Sequence, residues 1–240
     1  RVADLCAKVD EAAGLRDSLN DGAKVLRDAV VDRLLGASVP ETCRLGDLAV
    51  VRSGIQKGPH REPAAHPVRY LTVAHVQRNH ILWDDPRFFE VKPTELERWL
   101  LRAGDVLVIE GNGSPEEIGR AAVFGGEVSP CVHQNHVLRL RPDVLRVLPE
   151  YLALYLNSSR GRLALQKLGR TSSGLVTLSA GRLGDVEIEV PSLVRQQEII
   201  HAVAQADIVI GSYATHTIAQ ADELHALRSA VIERAVRGEL

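Results

Sequence analysis

An eight-residue segment, Leu26-Arg27-Asp28-Ala29-Val30-Val31-Asp32-Arg33, returns 201 positions later as Leu227-Arg228-Ser229-Ala230-Val231-Ile232-Glu233-Arg234, and a Gly follows each copy (Gly36, Gly238). The register extends upstream with 4-3 spacing. In the first copy it runs through Val2, Leu5, Val9, Ala12, Arg16, Leu19, Ala23, Leu26 and Val30. In the second it runs through Ile199, Val203, Ala206, Ile210, Tyr213, Thr217, Gln220, Leu224, Leu227 and Val231. Both stripes carry a polar interruption at the matching place, Arg16 and Thr217. This pattern predicts two long helices, each burying a narrow seam against the other or against a partner. About 35 residues at 1.5 Å each make a rod roughly 50 Å long. The expected interface residues are Leu5, Val9, Leu19, Leu26 and Val30 with Val203, Ile210, Leu224, Leu227 and Val231. Val190–Glu198 introduces the second copy, and its counterpart in the first would lie before Arg1. With no Met anywhere in the sequence, the expectation is a chain that starts inside a repeat unit.

The helices divide the chain into 1–37, 38–195 and 196–240. The middle part mixes short β-rich runs (68–73, 106–109, 121–124, 132–140, 186–190) with helical segments at 94–101, 148–157 and 160–168. Thr94 and Glu97 have capping-box spacing, and Gly125-Gly126 marks a hairpin turn. Strands and helices do not alternate regularly, so the fold class is α+β. With 45% hydrophobic and 25% charged residues the chain has the composition of a folded protein. No apolar run reaches the roughly 18 residues of a membrane span. Three scattered Cys (Cys6, Cys43, Cys131) make no disulfide framework. The expected location is cytoplasmic, with no membrane partner.

Charge is the next constraint. The net charge is −2, yet 139–170 carries seven basic side chains (Arg139, Arg141, Arg146, Arg160, Arg162, Lys167, Arg170) against Asp143 and Glu150, a net of +5. Residues 84–117 carry a net of −5. A near-neutral total can hide a basic face suited to phosphates; equally, such side chains can simply solvate helices. Gly111-Asn112-Gly113-Ser114 lacks the third Gly of a dinucleotide fingerprint and the Lys of a phosphate loop. Cys131 and His133 share one strand face while His136 points away and a fourth ligand is missing, so no metal site is expected. No base–nucleophile constellation appears, and no catalytic residue is expected. What remains is a set of polar loop residues: Gln56, Lys57, His60 and Arg61; Asn112 and Ser114; His133, Gln134, Asn135 and His136; and Arg170, Thr171, Ser172 and Ser173. Arg, Lys, Asn and Gln make paired hydrogen bonds to guanine and adenine in the major groove. Composition alone favours ordinary solvated loops, and 4% aromatics argues against stacking on single strands.

Several segments, in this order, resemble the specificity subunit of type I restriction–modification systems. They are Gly46-Asp47-Leu48 with Gly54–Gly58, Val68–Val73, Leu101–Leu107 with Ile118-Gly119-Arg120, Pro149–Ser158, and Val190–Ile200. The resemblance covers nearly the whole chain. It implies one target-recognition domain inserted between two conserved helices that pack as an antiparallel coiled coil. It also implies sequence-specific recognition of half of a bipartite double-stranded DNA site. The subunit would be non-catalytic, directing adenine methyltransferase subunits, which hold S-adenosylmethionine, and a restriction/translocase subunit. This chain itself would carry no cofactor. With one recognition domain, it resembles a C-terminal half or a half-sized form for which a second copy of itself is a candidate partner. The expected DNA-binding residues are the polar set above with Arg160, Arg162 and Arg170 on phosphates. The alternative is a coiled-coil protein–protein interaction module without DNA binding.

Overall fold

In the computed structural model the described residues are 21–37, 41–110, 117–169 and 178–237; side chains at 168, 169, 214–229, 231, 232 and 234–236 are not among them. The chain forms two units: one draws on residues up to Arg33 and from His201 onward, the other comprises Leu34–Ile200.

The Leu34–Ile200 unit holds the sheets. Strand β1 (Glu41–Arg44) and the four-residue helix α2 (Leu45–Leu48) lead into β2 (Ala49–Arg52). Then come β3 (Pro67–Leu71), β4 (Arg87–Glu90), helix α3 (Pro93–Trp99), β5 (Val106–Ile109), β6 (Ala121–Val123), β7 (Cys131–His133) and β8 (Val137–Pro142). Helices α4 (Pro149–Asn157), α5 (Ser159–Gly169) and α6 (Ala180–Gly184) precede β9 (Glu187–Val190), and the 44-residue helix α7 (Leu193–Val236) follows. Among the described residues the strands form an antiparallel sheet β2-β8-β5-β6, a second sheet β4-β3-β7 in which β3 and β7 run parallel, and a β1-β9 pair. The architecture is α+β.

Packing explains why these runs become strands. β5 is four consecutive apolar residues, Val-Leu-Val-Ile, because β8 and β6 flank it and both of its faces are buried. β7 shows the strand alternation. Cys131 packs with Leu71, Leu107, Ile109 and Phe124 on one side, and Val132 packs with Ile55, Val68, Tyr70 and Phe89 on the other. On that second side the Tyr70 and Phe89 rings stack at 3.6 Å. Helix α4 is buried along nearly its whole length. It ends at Ser158, whose hydroxyl donates to Tyr155 O and accepts from Gly161 N. A side chain at Gly161 would lie 2.0 Å from Tyr155 O, so the turn into α5 needs a glycine. At the other end of the unit, buried Gln196 accepts from Leu148 N and donates to Arg146 O and Pro191 O, which ties the start of α7 to the segment before α4.

Three local expectations are corrected. The run 132–140 is two strands in different sheets, because 134–136 turns the chain from β7 into β8. Gly125-Gly126 makes no hairpin: β6 pairs with β5, and the chain passes on to β7 in the other sheet, Gly126 taking φ +91°. The Thr94 capping box does not form, because α3 starts at Pro93 with its fixed φ and no side-chain cap, while Glu97 is engaged by Arg102.

In the helical unit, residues 21–36 form helix α1, and Arg27 pairs through two hydrogen bonds with Asp207 of α7 (2.7 and 3.2 Å). Val31 and Val203 are buried, and Val30 and Ile210 are half-buried. Leu26 departs from the expected seam, with 55% of its surface exposed. The buried face of α1 carries Arg27, Val30 and Val31, and Leu26 lies to one side of it. Leu5, Val9 and Leu19, and the side chains of Leu224, Leu227 and Val231, lie outside the described residues.

Leu107 is fully buried and Leu145 is 80% exposed. Leu107→Ala is therefore expected to cost about 2–5 kcal/mol and Leu145→Ala less than about 0.5 kcal/mol, read from urea midpoints of the two variants.

Candidate nucleic-acid interface

β3 and β7 are parallel neighbours, with Leu71 opposite His133. The segments leaving their C-terminal ends therefore emerge at the same edge of the sheet. Gln134 N donates to Leu71 O, Asn135 N to Ile55 O, and Ile55 N to His133 O. These bonds lay the loop after β2 along the 134–136 turn. The approach is close: a side chain at Gly54 would stand 2.2 Å from His133 O and 2.5 Å from Gln134 O. Ser53 Oγ adds a bond to Asn135 O. β5 also ends at this edge, since Ile109 pairs with Val137 at the start of β8, and Glu110 N donates to His136 O. Leu178 N donates to Glu110 O.

The fold thus brings Gln56 and Lys57, both exposed, beside Gln134, Asn135 and His136. Asn135 and His136 lie 3.4 Å apart through Nδ2 and Nε2, and His136 Nδ1 lies 3.3 Å from Glu110. Such a row of amides and imidazole on a rigid turn can donate to and accept from base edges. His60 is exposed in a 3-10 turn, Pro59–Arg61, of the same loop. Asn112, Ser114, Arg170, Thr171, Ser172 and Ser173 lie outside the described residues.

Other selected residues serve the fold instead. His133 is fully buried, with Nδ1–H donating to Val137 O at 2.6 Å. The strand alternation that puts it on the Cys131 face turns it inward. Arg61 is anchored by Glu95 and Glu90 O and lies 5.4 Å over the Trp99 ring. Arg160 is paired with Glu189, and Arg162 donates to Asn157 O. Three more arginines of the basic stretch are engaged as well. Arg139 is buried and donates to Leu100 O, Arg141 forms a two-pronged pair with Asp105, and Arg146 donates to Asp47 O. The described arginines of the expected basic face thus have partners within the protein. These guanidinium groups pair with carboxylates, Asp105 from the acidic stretch among them, or donate to backbone carbonyls, and Lys167 and Lys57 stand exposed. The Cys131 thiol is pushed up to about 12 by burial, which keeps it protonated. Among the described residues no group of three His, Cys, Asp or Glu side chains could hold a metal ion, and no helix is long and apolar enough to cross a membrane.

One element of this edge escaped the sequence reading. After β3 the chain forms a small hairpin, Val76 bridging Ile81 and Gln77 N donating to His80 O. Its tip is Gln77-Arg78-Asn79-His80. Four hydrogen-bonding side chains between two β-branched residues were the available signal.

No family model matches the chain. It is similar to the type I restriction enzyme EcoKI specificity subunit of Escherichia coli (strain K12), 28% identical over 200 residues, or 80% of this chain and 41% of the relative. It thus spans less than half the length of that curated relative. One solved structure, described by its subject of complex assembly and conformational transition of the type I R-M system, matches with TM-score 0.76 and 21% identity. The match covers 100% of this chain and 58% of that one. The HsdS subunit from Thermoanaerobacter tengcongensis matches with TM-score 0.62 and 22% identity, over 100% of this chain and 57% of that one.

The buried imidazole gives a pH signature. Burial pushes His133 down to about 4, and the Arg139 charge acts in the same direction against the bond to Val137 O. The unfolded chain takes up this proton near pH 6.5 and the folded chain near 4. Stability attributable to His133 is thus full above pH 6.5 and falls below it by up to about 1.4 kcal/mol per pH unit. His133→Gln is expected to flatten that slope between pH 6.5 and 4 in urea titrations.

Proposed function

From its similarity to type I restriction enzyme specificity subunits, we propose that this chain reads one half of a bipartite double-stranded DNA site for a type I restriction–modification complex. The observation that carries the proposal is the convergence at one sheet edge of Gln56, Lys57, Gln134, Asn135 and His136, held by backbone bonds among Ile55, Leu71, His133 and Asn135. Rigid turns presenting amides suit base-edge reading in the major groove, with Lys57 on a phosphate. In this reading the chain performs no chemistry. Partner methyltransferase subunits, which hold S-adenosylmethionine, methylate adenine within the site, and a restriction/translocase subunit joins them in the cytoplasm. Helices α1 and α7 act as an antiparallel coiled-coil spacer. The Arg27–Asp207 pair supports this, because stepping four residues forward on α1 to buried Val31 and four back on α7 to buried Val203 keeps the same register. A second copy, or a second recognition domain, supplies the other half-site.

The test is co-expression with an adenine methyltransferase subunit of a type I restriction–modification system, followed by sequencing-based mapping of adenine methylation. A single bipartite motif is expected. A stable complex that methylates no motif would overturn the proposal in favour of a coiled-coil interaction module. Within the motif, Gln134→Ala and Asn135→Ala are expected to relax preference at one base pair each, by about 1–3 kcal/mol. Lys57→Ala is expected to weaken binding alike for all sequences and to lower the salt slope by about one.

A further inference from the structure

We propose that the Gln77–His80 hairpin is a second base-reading element, in which Gln77 and His80 set preference at base positions separate from those read by the 134–136 turn. This rests on the DNA-recognition reading above. Because β3 and β7 are parallel, the segment after Leu71 and the turn after His133 leave the sheet at one edge. The hairpin reaches on to the neighbouring sheet, where Asn79 N donates to Ala121 O at the start of β6. It therefore extends the same edge past the 134–136 turn.

The hairpin is fixed at both ends. At its base, buried His75 accepts from Thr72 N at 2.9 Å through Nδ1, and its Nε2–H donates to Asp85 O at 3.1 Å. Leu82 N donates to His75 O, and Val76 sits in the core beside Leu71 and Ile109. At the tip, buried Asn157 of α4 uses its whole side-chain amide. Its Oδ1 accepts from Ala121 N at 3.0 Å, and its Nδ2 donates to Ala121 O and to Asn79 Oδ1, both at 2.8 Å. The amide thus pairs with edge strand β6 as a neighbouring strand would and passes that anchorage to the tip. Asn79 takes φ +65°, a left-handed conformation that Asn tolerates better than most residues.

A loop held this way pays little ordering entropy when a ligand arrives. Its side chains retain the groups that base edges need. Gln77 spends one Nε2–H on Ala74 O, leaving the other N–H and Oε1, the donor–acceptor pair that matches adenine N7 and N6. His80 donates Nδ1–H to Arg78 O, leaving Nε2 to accept from an exocyclic amino group. Asn157 is a positioning residue that acts through Asn79.

The probe is a pool of duplexes of randomised sequence, selected on the full chain in complex with its co-purified methyltransferase. Gln77→Ala and His80→Ala are expected to lose preference about tenfold, at base positions other than those altered by Gln134→Ala. Their melting temperatures should match the wild type. Asn79→Gly keeps the left-handed backbone but removes the oxygen that Asn157 holds. It is expected to weaken preference at the hairpin's positions only, as is Asn157→Ala. If the wild type selects a motif that Gln77→Ala and His80→Ala leave unchanged, the hairpin proposal is overturned and DNA recognition stands. If the wild type selects no motif, DNA recognition itself is overturned, and the hairpin's role with it.

Discussion

The parallel pairing of β3 with β7 is the constraint on which the candidate interface depends. In an antiparallel pair, segments leaving the two C-terminal ends would exit at opposite edges of the sheet. Parallel pairing sends the 72–82 segment and the 134–136 turn out on the same side. The register, Leu71 opposite His133, then lets Gln134 N reach Leu71 O and brings Ile55 into a bridge with Gln134. Gly54 is part of the same constraint, since a side chain there would collide with the carbonyls of His133 and Gln134 and force the two loops apart. The loops that carry the polar side chains of this edge are thus placed by backbone geometry.

The second determinant is the fate of the charges. β8 carries Arg139 and Arg141 on one face, alternating with Leu138 and Leu140 on the other. Burial lowers the Arg139 pKa, and the neighbouring Arg141 charge adds to that. The bond to Asp105 instead raises Arg141. A buried carboxylate such as Asp105 is tolerable only with its partners in place, here Nε and Nη2 of Arg141 and the Arg102 N–H. The Arg141–Asp105 pair thus joins the basic stretch to the acidic one inside the fold. In the proposed DNA-bound state, phosphate attraction rests on a few exposed cations such as Lys57, and selectivity on uncharged amides.

Where the sequence was legible, periodicity and punctuation carried the signal. β5, α4, α5 and β9 fall where their apolar patterns put them, and the Ser158 break is real because its hydroxyl caps one helix and starts the next. Short strands such as β1, β2 and β4 were not legible, since four residues with one buried side hold too little pattern to stand out. The 132–140 run hid a sheet change, because β-rich residues on both sides of 134–136 read as one strand. Gln56, Lys57, Gln134, Asn135 and His136 are selected by residue chemistry alone, and the fold gathers them at one edge. His133 was selected by the same rule and is buried, because type alone says nothing about which strand face a residue takes. Arg160 and Arg162, chosen for phosphate chemistry, are engaged by Glu189 and by Asn157 O, partners that residue type alone does not reveal. The 77–80 hairpin was missed because its anchor, Asn157, lies on a helix 78 positions away from Asn79.

The helical unit shows how a seam can be specified by something other than its apolar residues. A repeating stripe of Val, Leu and Ala can slide by a whole heptad at small cost, because residues of the same kind then face each other again. A two-pronged Arg–carboxylate pair cannot, since its parallel hydrogen bonds require one relative placement. Arg27 with Asp207 supplies that placement on the face of α1 that also carries half-buried Val30 and buried Val31. The ion pair is partly exposed and adds little stability by itself. Its contribution is to register, which is the property a spacer needs if it is to hold two half-sites a fixed distance apart in the proposed function.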